Sequence, residues 1–340
     1  MILNRRAALS AAAAAAISAA FAPMGAQAQP VNYILATAST GGTYYPVGVA
    51  LATLTKVRLE PSQGIGMSAI SSAGSGENIR LMREGEAQFA ILQGLFGAWA
   101  ATGEGAVEAD GPQPNVMSIA NIWPNVEHFV IAANRAETGT IADFEGLKGT
   151  SVALGAPNSG TIGSNAVILG NLGMDVNADF TLVGGGYGPA AEALQNGQVT
   201  GISTPAGVPV GAITQLFASA ANSVRLLSFT EEQIAQANGD YTLWTAYDIP
   251  AGTYPGQDYD VVTIAQPNFL AVNADVPEDH VYEITKAMFE NLAFLQAIHP
   301  AMNELAVETA LNGLPVPLHP GALRYYREIG VEVPDRLIAE

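Results

Sequence analysis

Thr40-Gly41-Gly42-Thr43-Tyr44 and Ser159-Gly160-Thr161 place hydroxyls and glycines where an apolar strand ends and a helix begins. The first turn of a helix carries N–H groups with no partner inside the helix, and its dipole favours negative charge. A strand–loop–helix junction of this kind suits a small anion. Gly41, Gly42 and Gly160 let backbone come close to a ligand, and Thr40, Thr43, Ser159 and Thr161 add hydroxyls. Either loop alone is an ordinary turn. Two such loops in two matched halves of the chain point to two jaws closing on one ligand.

Three further loops fall at the carboxyl ends of strand-like runs, where parallel sheets hold their ligands: Ser71–Ser75, Gln93–Leu95 and Thr204–Pro209. Gln93 offers a donor and an acceptor and so can fix a ligand's orientation. Tyr44, Tyr45 and Trp99 are candidate walls, although aromatic residues near a helix start more often belong to the core. The run Gly184-Gly185-Gly186-Tyr187-Gly188 lacks the spacing of a dinucleotide fingerprint and reads as a tight turn near the cleft. His128, His280, His299 and His319 show no metal-ligand spacing. There is no G-x-S-x-G elbow and no activated nucleophile or pair of acids at a cleft. The expectation is therefore binding without catalysis, with no cofactor and no metal.

The elements that must position these loops follow from periodicity. Val31–Thr37, Met67–Ser71 and Phe89–Leu92 read as strands, with helices running from the glycine loop to Lys56 and over Glu77–Arg83. His128–Ala133 leads out of this unit. Ser151–Leu154, a helix over Thr161–Leu172, Phe180–Val183, a helix from Pro189 to Gln195, and Val199–Ser203 repeat the plan. Ile264–Val272 returns the chain. Val281, Ile284, Met288, Leu292 and Leu295 then lie on one apolar helical face. Strand, loop, helix, strand means a parallel α/β sheet, here twice. The division predicted is a signal segment at 1–28, a first lobe at 29–132 and 264–340, and a second lobe at 133–263.

The 340-residue chain has a net charge of −18. Asn4-Arg5-Arg6, the apolar run Ala7–Ala22 and Ala26-Gln27-Ala28 read as an export signal with its cleavage site. The apolar run is too short for a membrane span. The adjacent arginines permit twin-arginine export, but general export is the reading preferred. Loss of Arg5 and Arg6 leaves 11 basic against 31 acidic residues, a mature charge of −20. Nucleic acid and anionic lipid are poor partners for such a field. No cysteine is present, which excludes disulfides and thiolate chemistry.

Several segments, in order, carry a family resemblance: Thr40–Pro46, Gly74-Ser75-Gly76-Glu77-Asn78-Ile79-Arg80-Leu81 and Gly85–Gln93, then Ala156–Thr161, Ile249–Gln257, Pro277–Tyr282 and Leu314–Ala322. Together they resemble the TAXI (TRAP-associated extracytoplasmic immunogenic) solute receptors of TRAP transporters. The resemblance implies a type II periplasmic-binding-protein fold, two α/β lobes joined by a hinge with a ligand cleft between them. It implies a periplasmic, monomeric receptor that captures a small carboxylate, an organic acid or glutamate-like amino acid, for TRAP membrane subunits. By position, Thr40, Gly42, Thr43, Tyr44 and Gln93 would hold the ligand from one lobe. Ser159, Gly160 and Thr161 would hold it from the other, with Thr204 and Ala206 nearby. The apolar Gly94-Leu95-Phe96 departs from the family pattern and favours an organic acid over an amino acid. A sensor subunit that presents its ligand to a signalling receptor is the alternative reading. Terminal sequencing of exported protein should begin at Gln29; an intact Met1 would remove the export reading.

Overall fold

The structure is a computed structural model and describes residues 30–339. The signal and cleavage-site reading of residues 1–28 lies outside the described residues. Two sheets form the frame. The first contains β1 (Val31–Ala36), β2 (Ile65–Ile70), β3 (Phe89–Gln93), β4 (Val116–Val126), β10 (Thr245–Ile249) and β11 (Val261–Asn273), ordered β10-β11-β3-β1-β2 with β4 also on β11. The second contains β5 (Phe129–Ala132), β6 (Ser151–Ala153), β7 (Thr181–Leu182), β8 (Gly201–Ser203) and β9 (Val224–Leu226), ordered β7-β6-β8-β5-β9.

Within the first sheet β1 is parallel to β2 and β3, while β11 runs antiparallel to β3, β4 and β10. In the second, β6 is parallel to β7 and β8, and β5 is antiparallel to β8 and β9. Parallel neighbours require helical crossovers. These are α1 (Tyr44–Arg58) after β1, α2 (Ser75–Arg83) after β2, α4 (Gly160–Asn171) after β6 and α5 (Tyr187–Gln195) after β7; α3 (Gly94–Thr102) follows β3 directly. The fold is the two-lobed α/β architecture expected. Phe129–Ala132 pairs in the second sheet and Thr245–Ile249 in the first, so hydrogen bonding changes sheet near Glu127 and Trp244.

Three differences from the sequence reading have physical causes. Gln93–Leu95 is no loop: Gly94 opens α3, whose Leu95, Phe96 and Trp99 are all buried, so it shows no amphipathic period. The 11-residue strand β4 was missed because Asn121, Pro124 and Asn125 interrupt its apolar pattern. The helix bearing Val281, Ile284 and Met288 (α6, Glu278–Glu290) stops at Asn291, and Leu292 and Leu295 belong to a separate short helix.

One buried side chain ties the loop-bearing ends of the first sheet together. Asn78, on α2, donates to Thr37 O at 2.7 Å and to Ile91 O at 3.0 Å, and accepts from Ser72 Oγ at 2.6 Å. It is fully buried, so its removal would leave carbonyls beneath the site without a donor. Asn78→Ala should cost about 1–3 kcal/mol of stability in urea unfolding. A cost near zero would mean that the strand ends need no such tie.

Candidate functional site

The loops after β1, β2, β6 and β7 meet between the sheets. There the N-termini of α1, α2, α4 and α5 enclose a cavity of about 120 Å³. Its walls are backbone, small side chains and the rings of Tyr44 and Tyr187. Among the described residues, the N–H groups of Tyr44, Ser75, Gly160 and Thr161 have no protein acceptor. No charged side chain lines the space. Each helix end attracts an anion by roughly 0.3–1 kcal/mol, more where solvent is excluded.

Glycine is required where the jaws nearly touch. A Cβ on Gly160 would lie 2.7 Å from Gln93 Oε1, and one on Gly76 would lie 2.5 Å from Asn158 O. Gln93 is 3 % exposed and its Oε1 has no partner among the described residues, so a ligand donor would satisfy it. Its N–H donates to Ser75 Oγ at 3.1 Å, which fixes the start of the side chain.

Hydrogen bonds cross between the lobes around this space. Thr43 Oγ1 donates to Gly207 O at 3.1 Å and accepts from Gly207 N at 3.1 Å. Glu77 N donates to Asn158 O at 3.0 Å, and Ala212 N to Gly41 O at 3.1 Å. At the rear, Tyr187 Oη donates to Pro205 O at 2.7 Å and accepts from Thr161 Oγ1 at 2.8 Å. Burial pushes the Tyr187 and Tyr44 hydroxyls up, so both stay neutral donors. Tyr44 Oη donates to Asn268 Oδ1 at 2.5 Å. The arrangement is that of a closed cleft.

Of the residues singled out from sequence, Gly42, Thr43, Tyr44, Gln93, Ser159, Gly160, Thr161 and Ala206 line the space together. Thr40 is exposed and stands outside it, and Thr204 is fully buried behind the wall, its N–H donating to His128 O at 3.1 Å. Three hydroxyls already have protein work. Thr43 clasps Gly207, Thr161 holds Tyr187, and Ser159 Oγ caps α4 by accepting from Ile162 N at 3.1 Å. Sequence reasoning held Ser39 and Pro205 only as members of candidate loops, and did not name Tyr187 as a site residue. The signal for Tyr187 was one more small-residue loop at a strand–helix junction, which reads equally well as a plain turn.

Behind the cavity runs a layer of buried polar side chains on the long strands: Asn125, Gln266 and Asn268, with Glu127 at the crossing into β5. Each has at least one side-chain atom without a partner among the described residues. Burial raises the Glu127 carboxyl to about 8 and lowers neighbouring His128 to about 4.

The model of the NMT1-like family matches residues 35–330. The periplasmic binding protein BugD superposes with a TM-score of 0.52 at 15% identity, covering 89% of this chain and 98% of BugD. A binding protein component of an ABC phosphonate transporter from Pseudomonas aeruginosa gives 0.52 at 11% identity, over 81% of this chain and 80% of that one. The alkanesulfonate-binding protein SsuA from Xanthomonas axonopodis pv. citri gives 0.47 at 13% identity, over 89% and 92%. The first two of these establish the fold of periplasmic binding proteins.

The Thr43 clasp can be removed without changing side-chain shape. Thr43→Val leaves Gly207 N–H and C=O unpaired only when the lobes are shut, at a cost of about 1–3 kcal/mol to closure. Ligand-free protein should then show a larger radius of gyration by solution scattering than wild type. Equal radii would show that the clasp does not hold the closed form.

Proposed function

The chain belongs to the NMT1-like family, and from that premise and the cleft we propose that it is a periplasmic receptor for a small carboxylate. The observation that carries this is the convergence of four helix N-termini, two from each lobe, on one uncharged space. A carboxylate fits such a place because backbone N–H groups can hold it with no arginine or lysine. Tyr44 and Tyr187 supply apolar faces for a short carbon skeleton. The free Gln93 Oε1 asks for a donor on the ligand, which a hydroxy acid or an amino acid would supply.

The ten positions named from sequence are the proposed binding set, with Thr40 and Thr204 supporting loops rather than contacts. Nothing resembling a nucleophile with its base lines the space, which favours capture over turnover. The ordered TAXI-like segments support delivery to TRAP membrane subunits, with lobe closure as the signal that a ligand is aboard.

A melting-shift screen of small mono- and dicarboxylates, hydroxy acids and amino acids, on protein stripped of carried-over ligand, tests the reading. A binder at one hundred times its Kd should stabilise by about 2.7 kcal/mol. Gln93→Ala should weaken that binder by roughly 1–3 kcal/mol with little change in unfolding midpoint. The carboxylate proposal fails if no member of the screen shifts the midpoint.

A further inference from the structure

Glu127 occupies the link between β4 and β5, where the chain crosses from the first sheet to the second. Its backbone is clamped there. The N–H donates to Ile264 O at 2.9 Å, and the carbonyl accepts from Thr263 Oγ1 at 2.8 Å. The side chain is fully buried, and neither carboxylate oxygen has a partner among the described residues.

Both lobes wall it in. Ser164 on α4 of the second lobe and Trp244, at the return crossing just ahead of β10, stand closest to the carboxylate as neutral donors, and its backbone is held by β11 of the first lobe. The titratable groups that feel its charge are Tyr44 and Tyr187, both kept neutral by burial. His128 follows in the chain, but its ring is engaged by Val126 O at 2.9 Å and Tyr254 Oη at 2.7 Å. No Lys or Arg contributes to its surroundings. An ionised Glu127 would therefore have neither water nor a counter-ion, an arrangement that buried carboxylates avoid by taking a proton.

We propose that Glu127 is a proton-binding site of the hinge: closing the lobes draws one proton from solvent onto its carboxylate, and opening them releases it. Ser164 rides on α4 of the second lobe and Thr263 on β11 of the first, so parting the lobes opens the surroundings of the side chain to water. In the closed form burial holds the carboxyl at about 8, against an ordinary 4.5. Below the lower value it is protonated in both forms, and closure is indifferent to pH. Between the two, closing takes up a proton, so the closed population falls by up to tenfold per pH unit as pH rises. Above the higher value there is no further loss. Ligand affinity inherits this slope, because only the closed form holds the ligand fully. The coupling needs lobes that move but no particular ligand, so a failed carboxylate screen leaves it untouched.

The absence of cysteine allows a direct test. A Cβ on Gly186 would lie 2.9 Å from that of Ser39 across the cleft. A disulfide wants about 3.5–4.5 Å there, which a small parting of the lobes supplies. In a Ser39→Cys/Gly186→Cys variant, oxidation holds the lobes shut and reduction frees them. The Glu127 carboxyl is followed by carbon-13 resonance in glutamate-labelled protein and assigned by its loss in Glu127→Gln, or by its movement in Glu127→Asp should the first not fold. Oxidised protein should titrate near pH 8, and reduced protein at least one unit lower. The same midpoint in both states, or a carboxyl already ionised at pH 6 in the locked form, overturns the proposal.

Discussion

An α-helix cannot satisfy its own first N–H groups, and this protein brings four such ends to one small space. Much of the architecture serves that convergence. Parallel strands direct their carboxyl ends, and so the helices that follow, to the same edge of each sheet. Glycine at Gly76 and Gly160 lets one lobe's backbone meet the other at distances that a Cβ would forbid. The resulting grip is made of partial charges already fixed by the fold, so it needs no side-chain reorganisation on binding.

The same convergence explains why the polar layer lies where it does. The chain leaves one sheet and enters the other beneath the cleft. The side chains there are amides and an acid: Asn125, Gln266, Asn268 and Glu127. Long ladders hold their backbones, with β11 paired to β4 along most of its length, so the polar side chains are carried without loosening the strands. A hinge benefits from such a layer. Amides accept water or a protein partner at similar cost, which keeps the open and closed arrangements close in free energy.

Local pattern was enough for the α/β plan and for most of the cavity. Phe89–Leu92 followed by Gln93, or Ser159-Gly160-Thr161 ahead of an apolar helix, carries its meaning in neighbouring residues. What local pattern cannot report is burial on every side or the approach of distant segments. Helix α3 is apolar all round because it is buried all round, so the period that marks a surface helix is missing. Strand β4 hides behind Pro124 and two asparagines whose partners come from β11, some 140 residues later. The occupied state of the Thr43 hydroxyl depends on Gly207, and the isolation of Glu127 on residues from both lobes. Those are tertiary facts, written in no single segment.

The overall charge of −18 and the proposed anionic ligand are compatible because they act over different distances. At physiological ionic strength exposed charges are screened beyond about 8 Å, so the acidic surface mainly slows approach. Inside the cleft no acidic side chain lines the wall. A carboxylate there meets N–H groups within hydrogen-bond reach, where low effective dielectric strengthens each contact. Glu127, buried behind the cavity, is favoured as the neutral acid in the closed form. A protonated Glu127 sets no charge against the ligand's, and the hinge and the binding site become two parts of one electrostatic arrangement.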